Sequence, residues 1–464
     1  MKINLDSYPL LRPRTIFQRT PDGARLNLRD IVQDKNKPWK SYFTNSVNMD
    51  GARLLEFSDG SRKIRDIITE FNGIDSASQI DGETALKFFE KAGEQDLAQV
   101  HDSPRTAESS FHGEYGYFFP AHVTVELTDK CNYFCKHCYR SSAPSRSTQL
   151  SFDALKSFLG DFHGHGGVVV ELTGGEPMLH PDFFEIVKWC NERFSLVGVL
   201  TNGYYLQEEE VRKQLPYREH MIFNLSLDSH REDYHDNFRG MKDAYKRTLN
   251  AMRLLSENKF FYRVSMSVTA DNFFDIEETL KLARSMGASA FTFNPVFDVG
   301  RGRNAPAPRI TDPEEAKKYL DYEAGLYKKY SGFLSTLDET QEAALKRSNC
   351  GLLSKTVTIS PDGTIRACVM FDNVFEIGNI NERDYKSIFR RKELTAFSKL
   401  PAPREEFCGD CPHLGYCKGC VLRGLKKASE VSDCRWLEKT GMKEPLQKLK
   451  VTEKKCHNSM EPGV

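Results

Sequence analysis

The chain has 464 residues, and its 65 Lys and Arg balance 65 Asp and Glu. That length holds several domains and at least one large core, and a zero formal charge argues against a dedicated nucleic-acid or anionic-membrane binder. Its 39% hydrophobic and 28% charged residues suit a folded globular chain without a membrane span, and the opening Met1–Asp6 lacks a secretory apolar stretch, so the cytoplasm is the expected compartment.

In chain order, residues 1–100 read as a small module. An extended segment around Ala24–Ile31 precedes a helical turn at Arg53–Phe57, a stop at Ser58-Asp59-Gly60, a helix over Ile64–Phe71 and a third over Thr84–Gly93. That is the pattern of a winged-helix unit. Winged helices also read DNA, but Phe43–Val100 carries six Lys or Arg against eleven Asp or Glu, which disfavours contact with phosphates. Residues 101–120, rich in Ser, Gly, Pro and aromatics, read as a linker.

From 121 to 330 strand and helix patterns alternate. Strand-like runs fall at His122–Leu127, Val168–Thr173, Leu196–Thr201, Ile222–Leu227, Tyr262–Val268 and Ala290–Asn294, with helical stretches such as Pro181–Phe194, Asp243–Asn258 and Phe273–Met286 between them. Such βα units predict an α/β fold with a partial (β/α)6 barrel of the TIM type, whose chemistry belongs at the C-terminal strand ends. Alternation along a strand puts Asn224, Ser226 and Asp228 on one face, Arg263, Ser265 and Ser267 on another, and Thr292 and Asn294 on a third. Three successive polar faces predict a lumen that holds a ligand.

Residues 349–439 form a cysteine-rich module, with a hairpin over Val357–Ala367 turning at Pro361-Asp362-Gly363 and a helix over Tyr385–Leu400; 440–464 is a polar tail. Ten of the twelve cysteines fall in three groups: Cys131, Cys135, Cys138; Cys350, Cys368; and Cys408, Cys411, Cys417, Cys420, Cys434. Without an export signal, such clusters point to metal rather than disulfides. Cys190 lies in an apolar helical pattern and reads as a core thiol, and Cys456 as a free thiol in the tail.

The first group is CxxxCxxC directly after the first barrel strand, and Thr173-Gly174-Gly175-Glu176-Pro177 follows the second. Three thiolates at this spacing hold three irons of a [4Fe–4S] cluster and leave the fourth open; zinc with His137 as fourth ligand is the competing reading. The pairing of the two motifs resembles the radical S-adenosylmethionine (SAM) superfamily. That resemblance implies that Cys131, Cys135 and Cys138 carry the cluster, and that Gly174 and Gly175 bring backbone to SAM. It further implies that Glu176 partners the SAM ammonium, Ser226 contacts SAM and Arg239 pairs its carboxylate. One electron then cleaves SAM to a 5′-deoxyadenosyl radical that takes hydrogen from the substrate.

The later cysteines follow the SPASM pattern, with two residues between Cys417 and Cys420 where many members have three. A zinc ribbon is the alternative for Cys408–Cys420. The SPASM resemblance implies one auxiliary [4Fe–4S] cluster on Cys408, Cys411, Cys417 and Cys434, and a second on Cys350, Cys368 and Cys420 with an open iron. That makes three clusters in all. The module around Asn48–Gly73 resembles the PqqD-like domain that binds the leaders of ribosomally made peptides.

The whole arrangement is similar to the radical SAM/SPASM maturases that form thioether bridges in sactipeptides and ranthipeptides. Shared strings are Glu126-Leu127-Thr128, Leu200-Thr201-Asn202-Gly203, Ser226-Leu227-Asp228-Ser229 and Gly300-Arg301-Gly302-Arg303. The expected partners are a leader-bearing precursor peptide and an electron donor such as flavodoxin or ferredoxin, with neither nucleic acid nor membrane. Carbon–carbon cross-linking of a peptide and side-chain oxidation of the sulfatase-maturase kind are the alternatives, and the N-terminal module disfavours the second. No residue stands out as a general base.

Overall fold

The computed structural model describes residues 3–28, 45–74, 79–297, 299–303, 310, 313–334, 351–370, 376–382 and 385–443. Cys350, Cys456, most of the tail and residues 29–31 of the expected extended segment lie outside the described residues.

Strands β1 (Tyr8–Leu11), β2 (Thr15–Thr20), β3 (Gly23–Leu28) and β4 (Asn45–Val47) precede helices Met49–Glu56, Ile64–Ile74 and Gly82–Glu94, which are followed by β5 (Ala98–His101) and β6 (Ser110–His112). The three helices stand where the apolar spacing predicts them. Asn48 and Asp81 cap the first and third by accepting from the N–H groups of Gly51 and Thr84. Ile64, Ile67 and Phe71 form one stripe that packs on Leu54, Ala85 and Phe89. Strand β1 pairs antiparallel with β5, and the other four form a sheet in the order β4-β3-β2-β6.

Residues 101–120 are more than the expected linker. His101 ends β5, β6 pairs parallel with β2, and Tyr117, Phe118 and Phe119 are buried. The aromatics that made the segment look irregular are what anchor it, because each buried ring contributes roughly 1.5–3 kcal/mol. The N-terminal module also reaches beneath the barrel. Ile16 of β2 packs with Ala121, Val168, Val169, Leu196 and Ile222 at the starts of the barrel strands. Gln18 Nε2 donates to the His165 carbonyl at 2.9 Å, and the buried Arg25 donates to the carbonyls of Phe119 and Ser354.

Six parallel strands form the partial barrel: β7 (His122–Thr128), β8 (Val169–Gly174), β9 (Leu196–Thr201), β10 (Met221–Ser226), β11 (Phe261–Val268) and β12 (Ala290–Pro295). Along β11 exposure alternates at every residue, so Tyr262, Val264, Met266 and Val268 face the helices while Arg263, Ser265 and Ser267 face inward. The sheet continues past β7. Strand β13 (Thr356–Ile359) pairs parallel with β7, and β14 (Thr364–Arg366) and β15 (Glu376–Asn379) follow antiparallel, making nine strands. The hairpin predicted for the cysteine-rich module is therefore an extension of the barrel wall.

The helix expected over Tyr385–Leu400 is two helices, Tyr385–Phe389 and Lys392–Ser398. The chain turns extended at Arg391, so that Ile388 and Phe389 on one side and Leu394 and Phe397 on the other can all be buried. Beyond them lie short helices at Glu405–Cys408, Leu414–Cys417, Val421–Glu430 and Arg435–Thr440. No described helix is long and apolar enough to cross a membrane.

Candidate active site

Cys131, Cys135 and Cys138 follow β7 directly and line one cavity of about 500 Å³, within the range that encloses small-molecule ligands. Gly174, Gly175, Ser226 and Arg239 line the same cavity, as do Asn224, Ser265, Ser267 and Asn294 from the strands below. The polar lumen is thus present. Of the side chains expected on it, Asp228 is buried just beyond β10, Arg263 donates to Asn224 Oδ1 at 3.3 Å, and Thr292 is half-buried.

The glycine motif is shaped by close backbone approach. Gly174 has φ +136°, and a Cβ there would lie 2.3 Å from the Thr128 carbonyl; a Cβ on Gly175 would lie 2.2 Å from the Lys130 carbonyl. Only glycines let β8 run this tightly against the cysteine loop. Glu176 is fully buried, and its carboxylate accepts from Thr201 Oγ1 at 2.8 Å, from Asn202 N at 2.9 Å and from Met178 N at 3.2 Å. Burial pushes this carboxyl up to about 7 against those three bonds. Glu176, expected to partner the SAM ammonium, does not line the cavity: the motif presents glycine backbone there, and the glutamate's bonds fix the turn after β9. From that turn Asn202 donates to Asn132 Oδ1 at 2.9 Å.

Arg239 was read as the partner of a ligand carboxylate; here a protein carboxylate holds it. Its Nε and Nη2 donate to the two oxygens of Asp228 at 2.5 and 3.0 Å, and its Nη1 stands 3.9 Å from Cys135 Sγ. The bidentate pair leaves Nη1 as the face turned to the cavity. His137, the alternative zinc ligand, stacks on Phe238 with ring centres 4.2 Å apart, and burial together with Arg239 lowers it to about 3. Burial raises the Cys131 thiol to about 12 and the Cys135 thiol to about 11. The Gly300–Arg303 turn latches the loop from outside: Arg301 donates from Nε to the Cys135 carbonyl and from Nη1 to the Ser142 carbonyl, both at 2.7 Å.

Cys408, Cys411, Cys417 and Cys434 line a second cavity of about 300 Å³ with Trp436. The four cysteines grouped by the sequence pattern thus converge. Cys420 caps helix Val421–Glu430 and lines neither cavity, whereas Cys368 lines the barrel cavity. Cys190 is fully buried in the barrel core, as expected.

Asn202, Asp228 and Arg301 were missed as individual site residues, although each sits in one of the shared strings. His122 and Glu171, which also line the cavity, carried no signal in the sequence. Near them Glu126, fully buried, is held by Arg366 of β14, by Arg140 at 3.3 Å and by Tyr139 Oη at 3.1 Å, tying the cysteine loop to the hairpin that leads to Cys368.

Comparison with known proteins agrees with this construction. Residues 125–283 match the radical SAM superfamily, and residues 350–412 match the SPASM iron–sulfur cluster-binding domain. The chain thus carries a radical SAM domain followed by a SPASM domain. It is 29% identical over 446 residues to the subtilosin biosynthesis protein AlbA of Bacillus subtilis, covering 95% of this chain and 98% of that one. The sporulation killing factor maturation protein SkfB of the same organism is 27% identical over 308 residues, covering 66% and 72%. Among solved structures, Streptococcus suis SuiB bound to its precursor peptide SuiA superposes with TM-score 0.62 over 90% of this chain and 97% of that one, at 13% identity. That likeness concerns the fold. The family implies SAM and [4Fe–4S] cofactors, and the donor set fits them: three thiols and exposed glycine backbone on one cavity, four further thiols on another.

Proposed function

We propose that this enzyme matures a ribosomally made precursor peptide in the cytoplasm by joining a cysteine sulfur to a carbon of another residue. One observation carries the reading: the cluster cysteines, polar side chains of the barrel strands and Cys368, from the auxiliary-cluster module, line a single cavity. In this reading Cys131, Cys135 and Cys138 hold the first cluster, and Gly174, Gly175, Ser226 and Arg239 hold SAM. Glu176 keeps the turn after β9 in place. Cys408, Cys411, Cys417 and Cys434 hold one auxiliary cluster; Cys350, Cys368 and Cys420 hold another with an iron position free for the substrate thiolate, a soft ligand. When bound, these groups supply hydrogen-atom abstraction from an unactivated carbon and a sink for the surplus electron, and a flavodoxin or ferredoxin donates the electron that cleaves SAM.

The N-terminal module would bind the leader. Its sheet ends at the short strand β4, where an added peptide strand gains main-chain hydrogen bonds. AlbA and SkfB, named for peptide biosynthesis and maturation, support the substrate class.

The test is anaerobic reconstitution with iron, sulfide, SAM and a cysteine-bearing precursor encoded beside the gene. A product that has lost two hydrogens per cross-link, with the cysteine no longer alkylatable, is expected. The same mass loss with a free thiol would replace the thioether by a carbon–carbon link.

A further inference from the structure

His122 opens β7 and Glu171 lies within β8; both line the barrel cavity, and no role described so far uses them. His122 Nε2 stands 3.1 Å from Glu171 Oε2, and Thr124 Oγ1 donates to the same oxygen at 3.3 Å. Burial alone would raise the Glu171 carboxyl, but His122, Arg263 and Thr124 outweigh it and hold it at about 2. It is therefore an anion at neutral pH. Space for it is kept by Gly198 on β9, where a Cβ would come within 2.9 Å of Glu171 Cγ.

Strand register fixes where this pair sits. His122 is opposite Thr356 across β7 and β13, and Thr358 is opposite Arg366 across β13 and β14. Cys368 follows Arg366 by two residues, past a bend at Ala367, and lines the same cavity as His122, Thr356 and Thr358. The cysteine loop, six residues further up β7, is about 20 Å away. Arg263 on β11 acts on Glu171 and donates to Asn224 on β10, and Thr356 and Thr358 on β13 line the same cavity.

Resting on the thioether reading, we propose that His122, oriented by Glu171, accepts the proton of the substrate cysteine. In this step the S–H bond breaks, the proton passes to the imidazole nitrogen not turned to Glu171, and both electrons stay on sulfur, so nothing is oxidised. The carboxylate then faces an imidazolium, which it stabilises. The sulfur must reach the carbon that loses hydrogen, so both enter the one cavity that the cluster cysteines, Cys368 and His122 line. Competing bases are poorly placed. Arg239 and Arg263 carry no acceptor, Glu126 is taken up by Arg366 and Tyr139, and His137 is stacked at the far end.

The test uses the reconstituted full-length enzyme, dithionite, SAM and the precursor peptide, and quantifies 5′-deoxyadenosine and cross-linked product separately. His122→Gln should cross-link about 100-fold more slowly while peptide-dependent 5′-deoxyadenosine formation stays within about threefold of wild type. Free imidazole should restore part of the rate of His122→Ala. Iron content, melting temperature and affinity for a labelled peptide report folding and binding apart from turnover. Where His122→Gln fails to fold, Glu171→Gln keeps the imidazole and should show the same uncoupling to a smaller degree. A folded, peptide-binding His122→Gln that cross-links at the wild-type rate overturns the proposal alone, as does an unchanged Glu171→Gln when that variant is the one that folds. A wild-type product with its thiol free overturns the thioether reading and this proposal with it.

Discussion

The two cysteine cavities are built in opposite ways. Around the barrel cavity the protein itself fixes the cysteine loop: Gly174 and Gly175 press against its backbone, Arg301 grips two of its carbonyls, and Arg239 is clamped to Asp228 beside Cys135. The C-terminal cavity is walled by segments of four to ten residues, Glu405–Cys408, Leu414–Cys417, Val421–Glu430 and Arg435–Thr440, gathered around Trp436. Helices that short have little stability of their own. The barrel is therefore expected to keep its shape without metal, and the C-terminal module to need its cluster as a core.

The largest effect tests the barrel side. Replacing Cys131, Cys135 and Cys138 together by Ala should lower iron from about twelve to about eight per chain and abolish SAM cleavage, while circular dichroism stays close to wild type. Collapse of the whole fold would break the comparison. Next, Cys408→Ala should remove about four irons and expose the segment after 400 to protease, leaving some 5′-deoxyadenosine formation but no cross-link. A variant as protease-resistant as wild type would show that the module has a core of its own.

A smaller change sharpens the barrel half. Arg301→Ala deletes two hydrogen bonds to the loop, each worth about 1–3 kcal/mol. The first cluster should then bleach several-fold faster under a chelator, followed by absorbance, with the auxiliary clusters unaffected. Smallest is the pH effect of Glu176, whose carboxyl is held up at about 7 by burial. A raised carboxyl favours the folded state when protonated, so this contribution is present below about 4.5 and is lost as pH rises to about 7, by roughly 3 kcal/mol at most. Melting of iron-free protein should decline over that window, and Glu176→Gln should flatten the decline.

Much of this was readable from local pattern. Strand-like runs alternating with helical stretches located the six barrel strands, and the polar faces of β10, β11 and β12 announced the lumen. Long-range pairing was not readable: β13 joins β7 across more than two hundred residues, and nothing local to Thr356–Ile359 encodes its neighbour. Glu171 was hidden because it interrupts an apolar run, Val168-Val169-Val170-Glu171-Leu172, that reads simply as a buried strand. The SPASM resemblance grouped Cys408, Cys411, Cys417 and Cys434, which line one cavity, yet it could not reveal that Cys368 faces the barrel, since that depends on β14 being part of the barrel wall.

The seating of Ile16, Gln18 and Arg25 beneath the barrel bears on protein engineering. A recognition module tethered by a loose connector could be exchanged between enzymes to redirect them to new peptides. This one forms the floor of the catalytic unit, and residues 110–112 of the connector complete its sheet. A hybrid joined upstream of Gly113 would split β6 from β2 and uncover the apolar starts of four barrel strands. Grafts should instead carry the seam at Gly113 or beyond, together with matching residues at Ala121, Val168, Leu196 and Ile222, so that donor and host inherit one another's contact surface as a set.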